Sequence, residues 1–229
     1  MDSIKQNLID IQENIALAAH KSGRKPEDIT LVGVTKTIPT KHIQEALTLG
    51  VTHFGENRVQ ELLPKYEFFG EKPPLWHMIG HLQSNKVKSI IDKVELIHSL
   101  DSLRLAEEIN KRAAQHNLKA DVLIEINIAE EDTKQGVTVE NANILLEQMT
   151  QLPNICTRGL MCIAPYVENS EQNRIYFEKM HKLFIDIQSR CLHNVDMRFL
   201  SMGMTGDYEV AIEEGANIIR VGTGLFGDR

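Results

Sequence analysis

From Lys25-Pro26 to the C-terminus the chain alternates short apolar runs with longer amphipathic stretches, and this alternation leaves few folds open. The runs are Leu31–Thr35, Thr52–Phe54, Leu75–Ile79, Glu95–His98, Val122–Ile128, Cys156–Met161, Arg198–Ser201 and Asn217–Val221, eight strand candidates. Stretches between them, such as Ser102–Gln115, Val139–Gln151 and Gln172–Cys191, have the length and apolar spacing of helices. Strands that alternate with helices in this way form parallel βα units. Eight units predict an α/β protein, a closed (β/α)8 barrel, with a doubly wound open sheet as the competing architecture. Ahead of them, Ile4, Leu8, Ile11 and Ile15 recur at spacings of four, three and four, which predicts an extra N-terminal amphipathic helix ending by Gly23.

The 229 residues suit one barrel, and no repeat, low-complexity tract or Pro/Gly/Ser-rich linker marks a boundary, so a single domain over 1–229 is expected. Hydrophobic residues at 42% supply a sizeable core, and the 5% aromatic share argues against an all-β sandwich. A net charge of −7 repels polyanions, so nucleic acid is not an expected partner. Local backbone N–H groups can still hold one phosphate whatever the net charge. Cys156, Cys162 and Cys191 are odd in number and form no C-x-x-C pair, which fits core thiols in a reducing compartment. The first twenty residues lack the apolar region of a signal peptide and no later segment has the length of a membrane span, so a cytoplasmic location without membrane contact is expected.

In a barrel of this kind the functional groups sit at the C-terminal strand ends and in the loops that follow. Strand residues two apart share a face, so Val32, Val34 and Lys36 of LVGVTK point the same way. If that face is inward, Lys36 enters the barrel mouth, where an amine can condense with a carbonyl as a Schiff base; on position alone a solvated lysine serves equally well. The seventh strand runs into SMGMTGD, where Ser201, Gly203, Thr205 and Gly206 let backbone N–H groups approach a ligand. The eighth exits through Gly222, Thr223 and Gly224, and paired small-residue turns after strands seven and eight suit a phosphate monoester. Arg220 lies among Ile218, Ile219 and Val221, so it either snorkels between helices or points inward, where it needs a ligand acceptor or a structural carboxylate. Glu56, Asn57, Arg58, His77, Gly80, Gln83, Asn85 and Lys86 follow or flank strands two and three and read as a polar mouth. His77 and His81 are four apart, but the strand-to-helix change around Gly80 disfavours a metal pair, and no metal site is expected. No H-E-x-x-H, G-x-S-x-G or Walker sequence is present.

Taken together, VGVTKT, FGEN, WHMIGHLQSNK, IHSLDS, RGLMCIAPY, SMGMTGDYEVAI and RVGTGLFG resemble the YggS/PROSC family of pyridoxal 5′-phosphate-binding proteins, which act in homeostasis of that cofactor. The resemblance runs in order along essentially the whole chain. It implies a modified barrel like the N-terminal domain of alanine racemase, with Lys36 carrying pyridoxal 5′-phosphate as an internal aldimine. It also implies that Ser201, Met202 and Gly203, with Gly222 and Thr223, hold the phosphate, that Arg220 faces the pyridine nitrogen, and that Asn57 and His77 lie near the pocket. Departures are few: His81 stands where some relatives have proline, which leaves it out of the implied site, and Thr35 and Thr205 replace serines.

A carboxylate at the pyridine nitrogen would keep that ring an electron sink, whereas Arg220 disfavours protonation there. The resemblance therefore implies storage, buffering or delivery of the cofactor without robust catalysis and with no catalytic residue assigned. The alternative is an amino-acid racemase or decarboxylase of weak or unidentified activity, and a class I aldolase-type lysine is a third reading. Apo-forms of pyridoxal phosphate-dependent enzymes are the expected protein partners. A monomer is expected, because no heptad pattern or long apolar edge calls for a dimer.

Overall fold

The computed structural model describes residues 3–131 and 135–227. Strands β1 (Thr30–Val34), β2 (His53–Glu56), β3 (Leu75–Met78), β4 (Leu96–Leu100), β5 (Ala120–Ile126), β6 (Ile155–Cys162), β7 (Val195–Ser201) and β8 (Ile218–Val221) pair in chain order and close into a barrel. All eight candidate runs form strands, with ends displaced by up to three residues. The open doubly wound sheet is excluded by the pairing of β1 with β8, which sets Val32 beside Arg220 and Gly33 beside Val221.

Helices α1 (Ile4–Lys21), α2 (Thr40–Thr48), α3 (Val59–Phe69), α4 (Leu103–Gln115), α5 (Val139–Met149), α6 (Arg174–Ser189), α7 (Tyr208–Glu213) and α8 (Thr223–Phe226) surround the strands. Two crossovers depart from the regular pattern: β3 reaches β4 through a 3-10 segment, Ser84–Ser89, and α8 is one turn long. A single turn cannot cover the strands beside it, and α1 packs there instead, against α7 and α8. Its buried stripe is Ile4, Leu8, Ile11, Ile15, Ala18 and Ala19, and the Ser3 hydroxyl caps its start by accepting from the Gln6 N–H at 3.2 Å. Asn7 and Asn14 donate to the Leu225 carbonyl at 3.0 Å and the Tyr208 hydroxyl at 3.1 Å, which fixes the helix on this face.

Alternation along the strands divides the apolar residues into two layers. The larger lies between strands and helices. The smaller fills the barrel interior with Val32, Leu96, Leu123, Met161 and Ile218, against which Phe199 packs. At the N-terminal end, Arg158 bridges Asp121 at 2.8 Å and Asp196 at 2.5 Å. Cys156 and Cys162 are buried as expected, but Cys191 is exposed, because it follows the end of α6 in a turn with φ of 49° rather than in the helix itself.

Between Thr157 and Gly159 the register of β6 shifts by one residue against β5 and by two against β7, a bulge at which β6 changes its alignment with both neighbours. Gly159 has φ of 153°, and a Cβ there would lie 1.8 Å from the Phe199 carbonyl oxygen. Gly159→Ala should therefore lower the unfolding free energy by about 3 kcal/mol or more, measurable by denaturant titration. A loss under about 0.5 kcal/mol would show that the bulge relaxes without cost.

Candidate functional site

Lys36 follows β1 at the C-terminal rim and is held there through both of its neighbours. On one side Thr35 is fully buried, and its hydroxyl donates to the Glu56 carboxylate at 2.6 Å. Lys65 of α3 reaches the same carboxylate at 2.5 Å and the Thr35 carbonyl at 2.7 Å. On the other side Thr37, at φ of 63°, donates its N–H to Glu61 at 2.8 Å. The Thr35 side chain thus turns outward toward α3, and alternation leaves Lys36 on the side of the mouth. Lys36 itself makes no hydrogen bond or ion pair with any described residue.

Glu56 is consequently not part of a polar mouth, as its position in FGENR predicted. It is buried between barrel and helix with Lys65 as its counter-ion. The next residue, Asn57, does face the rim. Its N–H reaches Glu56 at 3.3 Å, while its side-chain Oδ1 is buried and has no hydrogen-bond partner. Gly80 makes room for it, since a Cβ at Gly80 would come within 2.5 Å of the Asn57 carbonyl oxygen.

The turns after β7 and β8 meet across the seam of the barrel. Thr205 Oγ1 accepts from the Gly224 N–H at 3.2 Å, and the Arg220 N–H donates to the Gly203 carbonyl at 3.0 Å. Gly203 has φ of 92°, and a Cβ there would stand 2.6 Å from Ala211 Cβ, so only glycine lets this turn pack on α7. The N–H groups of Gly203, Gly222 and Thr223 donate to no other described residue. Asp207 holds the loop below, accepting from the Met204 N–H and from Asn173. Thr205, which the resemblance does not assign to the phosphate, links the two turns, and its place in the small-residue loop is the signal that marks it.

Ser201 and Met202 stand apart from this set. Met202 is buried in the layer between strands and helices, and its N–H is taken by the Ile218 carbonyl. The Ser201 hydroxyl lies inside the barrel, where Arg220 Nη1 donates to it at 2.7 Å and His98 Nδ1 lies 3.0 Å away. Arg220 is buried, with Nη2 donating to the Cys162 carbonyl at 2.8 Å, and burial pulls its guanidinium below the usual arginine range. Glu125, an inward residue of β5 near Arg220, is the carboxyl group that the chain order did not point out. Burial, reinforced by Asp101 and opposed by Arg220, raises it to about 7.

His77 is not at the rim either. It sits inside the barrel between two further histidines, its Nε2 2.9 Å from His53 Nδ1 and its Nδ1 2.9 Å from His98 Nε2. Burial, with a lesser effect of His53, pushes His77 down to about 3, and burial also holds His98 well below the ordinary range. His53 and His98 were missed; both stand at inward positions of strands neighbouring that of His77. His81 lies outside the ladder, 3.4 Å from Asp101.

Two clefts open on the rim. One, of about 500 Å³, is walled by Asn57, Arg58, Glu61, His81 and Lys86, and the other, of about 310 Å³, by Ile163, Pro165, Tyr166, Met204 and Asp207. A polar wall and an apolar one therefore flank the mouth. No described helix is long and apolar enough to cross a membrane, and no described cluster of His, Cys, Asp or Glu has the geometry to hold a metal ion.

Known proteins share the sequence pattern and the fold. The family described as "Alanine racemase, N-terminal domain" matches residues 6–229. A protein of Aquifex aeolicus named pyridoxal phosphate homeostasis protein is 48% identical over 98% of this chain and 97% of its own length. The solved structure of PipY from Synechococcus elongatus, with pyridoxal phosphate bound, superposes with a TM-score of 0.85 at 32% identity, covering 98% of this chain and all of that one. An alanine racemase of Clostridium difficile, at 18% identity and a TM-score of 0.74 over 57% of its length, shares the fold.

Two measurements test the buried polar groups. Lys65→Met should cost about 3–5 kcal/mol by leaving Glu56 buried without its counter-ion, and adding Glu56→Gln should recover part of that loss. No recovery in the double variant would mean that the pair is uncoupled. For His77, a folded-state value near 3 against an ordinary 6.5 means that only the unfolded chain takes up the proton between those limits. Stability is then full above pH 6.5 and falls by about 1.4 kcal/mol per pH unit for this ring as pH drops toward 3. Denaturation midpoints across that window should show the slope, and His77→Gln should reduce it.

Proposed function

The chain belongs to the family of pyridoxal phosphate homeostasis proteins, and on that premise we propose that it holds pyridoxal 5′-phosphate covalently on Lys36 and stores, buffers or delivers it. The observation that carries this reading is a juxtaposition. The Lys36 amine, just past β1 and without a partner among the described residues, stands beside the β8 exit, where Gly203, Gly222 and Thr223 offer backbone donors with no acceptor among the described residues. When bound, the cofactor supplies an electrophilic aldehyde to amines and a ring able to take up electrons.

The residues present fit that group. Gly203, Gly222 and Thr223 would bind the phosphate, with the Thr205 hydroxyl keeping the two turns together. Asn57, whose Oδ1 has no partner, supplies a polar contact at the rim. Arg220, buried and anchored by Ser201 and the Cys162 carbonyl, would face the ring nitrogen and keep it without a proton. Ser201 and His77 act behind Arg220, and Met202 contributes packing that shapes the turn. A weakened electron sink supports a role as carrier rather than robust enzyme. The exposed apolar rim residues Ile163, Met204 and Tyr166, the last 95% exposed, give apo-enzymes of this cofactor a surface to meet. The protein works as a cytoplasmic monomer, one barrel carrying the whole function.

Purified protein mixed with pyridoxal 5′-phosphate should turn yellow, and borohydride reduction followed by peptide mapping should place the label on Lys36. Lys36→Ala should lose the covalent label and keep phosphate-dependent binding, because amine and phosphate sites are separate. The loaded protein should exchange no α-deuterium into amino acids and should activate an apo-enzyme. A label on another lysine overturns the site, and steady amino-acid turnover overturns the carrier role.

A further inference from the structure

Asn173 and Asp207, two residues of the types that ordinarily cap helices, stand at the starts of α6 and α7, and neither caps its own helix. Asp207 is the N-cap of α7, and Asn173 is that of α6, where a 3-10 turn over Ser170–Asn173 runs into the helix. In neither case does the side chain accept from the first turn that follows. The two side chains meet each other instead. Asn173 Nδ2 donates to Asp207 Oδ2 at 2.9 Å and to the Pro165 carbonyl at 3.0 Å, and Asp207 Oδ1 accepts from the Met204 N–H at 2.7 Å. Asn173 is 1% exposed, and its Oδ1, the atom a cap would use, is buried with no hydrogen-bond partner.

A buried amide oxygen without a donor is destabilising, and the amide cannot turn over to relieve it, because both partners of Nδ2 are acceptors. Local rules set aside in one place point to a gain elsewhere. That gain lies in what the contact joins. Asp207 closes the turn that follows Gly203 from both sides, since its carboxylate takes the Met204 N–H and its own N–H donates to the Met204 carbonyl at 3.1 Å. With the Met204 N–H spoken for, the N–H groups of Gly203, Thr205 and Gly206 are left without an acceptor among the described residues. At the far end, Pro165 belongs to the loop after β6, beside Ile163 and Tyr166 in the apolar wall of the rim.

We propose that Asp207 and Asn173 are positioning residues for the phosphate site, Asp207 holding the turn after β7 in the shape that leaves its N–H groups free, and Asn173 tying that turn to the loop after β6. This rests on the cofactor reading for the identity of the phosphate ester. A carboxylate repels a phosphate, so Asp207 acts through the turn rather than by touching the ligand. Both of its oxygens are engaged, and Arg220 lies within reach of its charge. The tie through Asn173 gives the grip a second dependence. Whatever order the loop after β6 lends to phosphate binding, bound phosphate lends back to that loop, because coupling between two sites is reciprocal. The apolar wall and the phosphate turn therefore respond together.

The full chain is titrated with pyridoxal 5′-phosphate and with pyridoxal, which has the same aldehyde and no phosphate, and the absorbance of the lysine adduct is read. Asp207→Ala should weaken binding of the phosphate ester about tenfold and change pyridoxal binding less than about twofold. Asp207→Asn keeps an acceptor for the Met204 N–H but sets an amide against Asn173 Nδ2, so it should fall between wild type and Asp207→Ala, and it carries the test if the alanine variant does not fold. Equal losses for both compounds mean a merely structural role, and unchanged or tighter binding of the ester means that the carboxylate only repels it; either overturns the proposal. Hydrogen exchange tests the tie. Pyridoxal 5′-phosphate should slow exchange across residues 163–169 in wild type and not in Asn173→Ala, and slowing that persists in the variant overturns the tie. A wild type that forms no adduct with either compound strikes the cofactor reading instead. Exchange across residues 203–207 with inorganic phosphate then decides the phosphate site by itself: slowing in wild type that is lost in Asp207→Asn supports it, and no slowing in wild type overturns it.

Discussion

The pairing of β1 with β8 is the contact on which the rest of the molecule depends. It turns an eight-stranded sheet into a closed surface and leaves no edge with unpaired backbone groups. It also sets Val32 beside Arg220, so that the strand leading to Lys36 runs alongside the strand that exits through Gly222 and Thr223. Residues nearly two hundred positions apart become neighbours at one rim. The weak point of this seam is the single-turn α8, and the chain covers it with α1 taken from its other end.

Closure creates an interior, and the interior is divided by polarity along its axis. Val32, Leu96, Leu123, Met161 and Ile218 form its apolar part, while Arg220, Ser201 and three imidazoles occupy positions that apolar side chains fill in an ordinary barrel core. Burying those groups is tolerable only because each meets a partner of the right kind. Arg220 has a hydroxyl and a carbonyl, His77 and His98 each have a contact at both ring nitrogens, and the half-buried His53 has one, to His77. The same reasoning governs the outer layer at Lys65 and Glu56, where an ammonium and a carboxylate are buried together and fix the backbone on both sides of Lys36. On the proposed reading, the cofactor would sit between this buried polar wall and the backbone donors at the rim that have no partner among the described residues.

Much of this was legible in the order of residues. Eight apolar runs at βα spacing led to the barrel, the period of two in LVGVTK put Lys36 on the face of Val32, and paired glycine turns marked the ends of β7 and β8. Other assignments failed for reasons of orientation. Glu56 in FGENR has the same sequence context as Asn57, yet one side chain faces outward to Lys65 and the other the rim. Ser201 carried the signal of a phosphate-binding hydroxyl, but that hydroxyl turns inward to Arg220. Cys191 falls two residues beyond the end of the helix to which its spacing assigned it.

The sequence alone determined the strand count, the class of fold and the strand ends at which chemistry could be placed, because hydrophobic periodicity and glycine positions are local properties that survive without knowledge of neighbours. Only the tertiary structure decided which polar groups meet. His53, His77 and His98 are separated by more than twenty residues each, and nothing in their immediate surroundings announces a common file. They come into line because the barrel stacks β2, β3 and β4 in register and turns the same face of each inward, and hydrogen bonding at 2.9 Å depends on that registration rather than on any property of the individual histidines.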